Sequence, residues 1–164
     1  MTDAFSPDAA FQEAKQLHLQ GRLAEAEAIY RRILATLPEH GGALHLLGVV
    51  RHQQGDHESA VNLIRRAMSV DGPKGVSLNN LGAALLALGR ADEAREAFQE
   101  AVALRPACAD SAANLGLALD RLGQGEAAEG CFRRALDLKP WHREAVVQLA
   151  RLLRTQGREE EAVH

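Results

Sequence analysis

The chain has 164 residues, 46% of them hydrophobic, 25% charged and only 4% aromatic, and 19 Lys and Arg against 22 Asp and Glu leave a formal net charge of −3. Ala and Leu supply about a third of all residues and β-branched residues are few, a composition that leans to helix. Cys108 and Cys131 are too few for a disulfide framework and too far apart for a CxxC site, no apolar run reaches the roughly 18 residues of a membrane span, and Met1–Ala10 lacks the basic-then-apolar pattern of a signal peptide. The expectation is a cytoplasmic, all-helical protein.

From the N-terminus, Ser6 and Pro7 form a helix start: an N-cap hydroxyl, then the residue suited to the first helical position. Glycine recurs at Gly21, Gly55, Gly89, Gly123 and Gly157, in steps of 34 residues. Behind these stand Ala26, Ala60, Ala94, Ala128 and Ala162, then the bulky Tyr30, Ile64, Phe98 and Phe132, then Ile33, Ala67, Ala101 and Ala135. Ahead of them lie the small residues Ala14, Gly48, Gly82, Gly116 and Ala150. Pro38, Pro106 and Pro140 close three of the units, and Gly72-Pro73 closes the other one residue late.

Each column has a physical meaning. Leu78, Leu81, Gly82 and Leu85 make the apolar stripe of one amphipathic helix, and Ala94, Phe98, Ala101 and Val102 that of a second. Gly89 between them suits a tight turn with positive φ. Asp92 and Glu93 open the second helix, where the macrodipole favours acid, and proline ends it. Small residues in the Gly82 and Ala94 columns let the two helices approach closely while the Phe98 column fills the remaining space. The unit is a helix–turn–helix hairpin, repeated over 7–40, 41–74, 75–108 and 109–142 with a partial fifth unit at 143–164, so that 1–164 is expected to form a single array.

The ends differ. Glu13 stands where other units carry Leu47, Leu81, Leu115 and Leu149, as a polar outer face on a terminal repeat requires. Val146, Leu149, Ala150 and Leu153 read as an interior first helix whose partner stops at His164. The expectation is an N-terminal piece of something longer, with closure by self-association or a tolerated frayed end as alternatives.

Chemistry-bearing patterns are weak. Gly123-Gln124-Gly125 with Gly130 has the wrong spacing and context for a dinucleotide loop. His18, His45 and His52 share one face, which a zinc or nickel site would want, but no Cys or carboxylate joins them at ligand spacing, so solvated or partner-contacting histidines, and no metal, are expected. Arg31-Arg32, Arg65-Arg66 and Arg133-Arg134 repeat in register, yet Gln99-Glu100 interrupts them. Glu27 and Glu129 sit four residues before Arg31 and Arg133 as helical ion-pair partners. Without a concentrated basic surface and stacking aromatics, nucleic acid is not an expected partner. Ser59, Ser69, Ser77 and Ser111 lack a nucleophile-elbow context, Cys131 is read as a half-buried thiol and Cys108 as a turn residue. No enzyme and no cofactor are expected.

The 34-residue small–large pattern over Pro7–His164, with Asn80-Leu81-Gly82, Asn114-Leu115-Gly116 and the Gly-Arg-x-x-Glu-Ala run at 89–94, resembles the tetratricopeptide repeat (TPR) family. The resemblance implies an all-α, TPR-type α–α superhelix, a right-handed solenoid of antiparallel helix pairs whose first helices line a concave surface. Carried over residue by residue, it makes Lys15, His45, His52, Asn79, Asn80, Asn114, Arg121, Gln148 and Arg151 the candidate peptide-binding residues. Asn80 and Asn114 form a short ladder similar to that of O-linked N-acetylglucosamine transferases; the alternative is that they only stiffen the stack. No register places the Lys and Asn set of chaperone-tail clamps. Leu44-His45-Leu46-Leu47-Gly48 and the Asn-Leu-Gly runs look like bacterial TPR regions that precede glycosyltransferase or sulfotransferase domains. The implied function is a non-catalytic scaffold binding a peptide or partner segment in the concave groove, with no membrane partner. A substrate-recruiting module of a larger bacterial enzyme and an oligomerisation unit are the alternatives.

Overall fold

The computed structural model describes residues 6–158 and 160–162, the last through its backbone alone; the Ala162 side chain and His164 lie outside the described residues. These contain nine α-helices, a short 3-10 turn at Glu160–Ala162 and no strand. The helices are α1 (Pro7–Leu19), α2 (Leu23–Thr36), α3 (Gly41–Gln53), α4 (His57–Asp71), α5 (Gly75–Ala87), α6 (Ala91–Leu104), α7 (Ala109–Arg121), α8 (Gly125–Leu138) and α9 (Arg143–Thr155). They form two compact units that divide between Pro73 and Lys74. In the first, α1 packs on α2, α2 on α3 and α3 on α4. In the second, α5 packs on α6, α7 on α8 and α8 on α9, while α5 touches α7 and α7 touches α9, so the first helices of the hairpins share a layer.

The periodic glycines do what their spacing predicts. Gly21, Gly55, Gly89, Gly123 and Gly157 all have φ between 73° and 87°. The next residue then returns its N–H to the last helical turn: Arg22 to Leu17, Asp56 to Arg51, Arg90 to Leu85, Gln124 to Leu119 and Arg158 to Leu153, each at 2.9 Å. This is the Schellman closure, which occupies carbonyls that a helix end leaves open. Two devices recur after these turns, while α8 starts at Gln124 without a side-chain cap. Asp56 accepts the Ser59 N–H at 3.2 Å, and hydrogen bonds from Ser59 hold the Asp56 carboxyl below the usual range. Arg22, Arg90 and Arg158 each grip the glutamate three residues on, Glu25, Glu93 and Glu161, through both Nε and Nη2.

The core lies along the small–large columns. Ala14, Ala26, Tyr30 and Ile33 are fully buried in the first unit, as are Ala128, Phe132 and Ala135 in the second. A methyl added to Gly82 would stand 2.5 Å from Phe98 Cε1, and one on Gly116 would stand 2.6 Å from Phe132 Cε1. The absent Cβ therefore provides the space for the ring. Glu13 is exposed, as a terminal face requires. On α9 the expectation holds only in part: Val146 is exposed and Leu149 half-buried, but Leu153 is buried, because the chain turns back at Gly157 and the 3-10 turn packs on α9.

Tyr30 is the odd member of its column. Its hydroxyl is buried and has no hydrogen-bond partner among the described residues, and burial pushes its pKa up to about 12. An unsatisfied buried hydroxyl costs about 1–3 kcal/mol. Tyr30→Phe is therefore expected to raise the unfolding free energy by about 1 kcal/mol, read in urea as a higher midpoint at unchanged slope. Gly82→Ala should lower stability by about 1–3 kcal/mol through overpacking against Phe98. Gly130→Ala, mid-helix with open space around it, should instead raise it by about 0.5–1 kcal/mol. Equal behaviour of the two alanines would contradict the packing argument.

Candidate functional site

In the first unit, the candidate residues sit on α1 and α3. Lys15 on α1 holds its ammonium 5.8 Å from the Phe11 ring centroid and donates a long 3.4 Å bond to Gln12 Oε1. Phe11 is itself placed by tilted contacts with His40 at 4.9 Å and Tyr30 at 6.1 Å between ring centroids. His18 Nε2 lies 3.0 Å from Gln53 Oε1, which spans α1 and α3 and makes that nitrogen the donor. His52 turns to His57, with their Nδ1 atoms 3.0 Å apart, so one ring must supply the proton and the other the lone pair. Burial first, and the charge of His57 second, hold His52 below the usual imidazole range. His45 is half-buried on α3.

In the second unit, several candidate side chains are tied from one first helix to the next. Asn79 on α5 donates through Nδ2 to Ser111 Oγ on α7 at 2.7 Å, while its Oδ1 is buried without a partner among the described residues. Arg151 on α9 reaches back to Asp120 on α7 and also donates to Gln148 Oε1 at 3.0 Å, and Gln148 in turn donates to Glu144 Oε1 at 2.6 Å. Asn80 and Asn114 occupy the same register of α5 and α7, both half-buried, and Arg121 is exposed at the end of α7. α5 carries no charged residue at all. The arrangement sets Asn79, Asn80 and Asn114 on the uncharged α5 and on α7, with charges of both signs beside them on α7 and α9.

Several of the other chemistry-bearing residues make internal contacts. Among the described residues no group of three His, Cys, Asp or Glu could hold a metal; His18 is turned to Gln53 and His52 to His57. The arginine pairs are divided between two tasks. Arg31 and Arg133 bind Glu27 and Glu129, the ion pairs expected from spacing. Arg66 and Arg134 donate to the carbonyls of Pro38 and Pro106, at 3.4 and 2.9 Å. Glu129 is buried and also receives Arg158 at 2.8 Å. Ser111 and Ser77 are buried, Ser77 donating to the Lys74 carbonyl. Cys131 is half-buried, and burial pushes its thiol up; Cys108 is the N-cap residue of α7.

Sequence reasoning passed over His40 and His142. Both stand one residue before a first helix, and the Nδ1 of each accepts a backbone N–H, from Ala43 at 3.0 Å and Ala145 at 3.2 Å. With Nδ1 an acceptor, His142 Nε2 donates to Asp110 Oδ1 at 2.9 Å. The available signal was their common register, 102 residues or three periods apart. Trp141 beside His142 is 78% exposed. Two recesses lie in the first unit: one of about 630 Å³ by Leu37, Pro38, Glu39 and His40, and one of about 170 Å³ by Lys15, His18, Leu19 and Leu46. No helix among the described residues is long and apolar enough to cross a membrane.

Residues 74–140 match the family model for the tetratricopeptide repeat, and residues 19–101 match the one described as anaphase-promoting complex, cyclosome, subunit 3. Among solved structures, the chain is similar to a MamA segment from Desulfovibrio magneticus, at 20% identity and TM-score 0.86 over 96% of this chain and 88% of that one. It is similar to pilF of Pseudomonas aeruginosa at 26% identity and TM-score 0.82, over 92% and 68%. A third similarity is to YrrB, described as a TPR protein with an unusual peptide-binding site, at 21% identity and TM-score 0.77 over 93% and 79%. No curated protein matches the sequence.

The His52–His57 contact makes acid sensitivity testable. Since the folded-state pKa of His52 is depressed, its contribution is fully present above the unfolded value near 6.5 and is lost as pH falls through the folded value. Urea midpoints should fall between pH 7.5 and 5.5, and His52→Asn should flatten that dependence; an unaltered pH profile in the variant would remove this role.

Proposed function

Since the chain belongs to the tetratricopeptide repeat family, its two matched family models together spanning residues 19–140, we propose that it is a non-catalytic protein-interaction scaffold that holds an extended peptide or partner segment on the first-helix faces of its units. The observation that carries this reading is the tying of one first helix to the next: Asn79 to Ser111, Arg151 to Asp120, and His18 to Gln53. These bonds set the polar side chains before any ligand arrives, which lowers the ordering cost of binding. The uncharged α5 and the neighbouring Asn114 suit a polypeptide backbone, whose N–H and C=O groups an amide side chain can meet with both donors and an acceptor. The peptide-binding description of YrrB supports the same reading. The matched models and the structures named above carry no glycosyltransferase or sulfotransferase description.

The test is binding to an immobilised library of extended peptides, comparing the native chain with the Asn80→Ala, Asn114→Ala double variant. Loss of two amide contacts, each worth about 0.5–1.5 kcal/mol, should weaken bound peptides by about tenfold or more while far-UV circular dichroism stays unchanged. A library that binds nothing, or a variant as tight as the native chain, would defeat the reading.

A second reading, self-association through α9, is favoured by the exposure of Val146 at 46% and Val147 at 52%. Sedimentation should then show a dimer that Val146→Glu dissociates; a monomer at every concentration removes it.

A further inference from the structure

The turn between α3 and α4 brings two imidazoles together where packing does not call for them. His52 lies in the last turn of α3, and His57 opens α4. The corresponding positions of other units hold His18 and Leu23, Leu86 and Ala91, and Asp120 and Gly125, so the hairpin closes without a histidine pair. The turn itself is firmly held. Gly55 has φ 87°, the Asp56 N–H returns to the Arg51 carbonyl at 2.9 Å, and the Asp56 side chain caps Ser59. Across this turn the two Nδ1 atoms stand 3.0 Å apart, with ring centroids 4.8 Å apart and ring planes inclined by 51°. Both residues are half-buried, so solvent reaches them.

That separation has a chemical meaning. Imidazole nitrogens bind a first-row divalent ion at about 2.0–2.1 Å. Two of them at adjacent corners of a square are then about 2.9–3.0 Å apart, whereas tetrahedral corners would hold them about 3.3–3.4 Å apart. The local charge also suits a cation. Arg51, the nearest cation in sequence, is engaged by Glu27 at 2.7 Å, and the Asp56 carboxyl feels the charge of His57.

We infer that His52 and His57 form a two-histidine site for a divalent ion of square-based coordination, Cu(II) ahead of Ni(II), bound through both Nδ1 atoms. Water fills the remaining corners, since no group of three His, Cys, Asp or Glu ligands gathers among the described residues. The ion takes the place of the shared proton: the ring that donates through Nδ1 carries its proton on Nε2 instead, and both rings stay neutral. Cu(II) leads because affinity at such sites rises along the first row to copper and falls at zinc. By bridging α3 and α4, the ion stabilises the folded hairpin through mass action. The site stands apart from the scaffold reading: Asn80 and Asn114, on which that reading is tested, lie in the other unit.

The experiment is a calorimetric and EPR titration of the metal-free full chain with Cu(II) sulfate, beside His52→Asn, His57→Asn, the double variant of these and His18→Asn. The double variant reports copper held by the amino terminus and the five remaining histidines of the seven. The native chain should take up one equivalent more, show hyperfine splitting from two imidazole nitrogens, and gain a higher urea midpoint. Each single variant should bind at least about tenfold more weakly, the loss that removing even an outer-shell partner brings. His18→Asn should bind normally, and Ni(II) and Zn(II) should raise the midpoint less than Cu(II). Unchanged far-UV circular dichroism without metal shows that each variant is folded. The site is overturned if the native chain and the double variant take up equal copper, or if either single variant binds as tightly as the native chain. It is overturned equally if Zn(II) matches Cu(II). Should a variant lose helix, the native EPR signal decides, and fewer than two nitrogen ligands overturns the site.

Discussion

The close approach of two helices across a missing side chain is the constraint on which the rest of this protein depends. Phe98 and Phe132 lie over Gly82 and Gly116, and Ile64 over Gly48, at distances that a Cβ could not share. Packed interiors tolerate little extra volume, so this contact sets how near the paired helices come and hence where every other residue on them points. Its recurrence produces the period. Each hairpin solves the same packing problem, so the same sizes must reappear at the same steps, with the alanine columns filling the narrow parts.

On that scaffold the charged residues act locally. The guanidinium–carboxylate grips of Arg22, Arg90 and Arg158 close the start of their second helices. Arg66 and Arg134 anchor the proline carbonyls of the preceding hairpin. Exposed pairs of this kind contribute little each, but they occupy the second helices with internal partners. The first helices carry a different set: amides, imidazoles and a few charges bonded from one hairpin to the next. The division leaves the first-helix faces as the ordered polar surfaces of the two units.

Those surfaces are chemically distinct. α5 presents asparagines and small apolar residues with no charge, whereas α1 and α3 surround an apolar recess with Lys15 and His18. A scaffold built from near-identical hairpins can vary its ligand contacts freely, because the columns that set the fold and the positions that face outward are different residues. Fold therefore says little about partner, and the recognition chemistry has to be read from the particular side chains.

The sequence by itself determined the hairpin, its period, the glycine turns, the Ser6 cap and the Glu27–Arg31 and Glu129–Arg133 pairs. All of these depend on residues within a single helix or turn, where spacing alone places side chains together. Tertiary structure decided which polar groups meet between hairpins. Asn79 with Ser111, Asp120 with Arg151, Asp110 with His142 and His18 with Gln53 lie 31 to 35 residues apart. Their pairing is controlled by small rotations between neighbouring helices and by rotamer choice. The same holds for His52, which shares a face with His18 and His45 in the sequence but turns to His57 across a tight turn. It holds too for Leu153, whose burial requires the chain to fold back after Gly157. A periodic pattern specifies which face of a helix is buried; only the packed arrangement fixes the direction in which each half-buried polar group finds its partner.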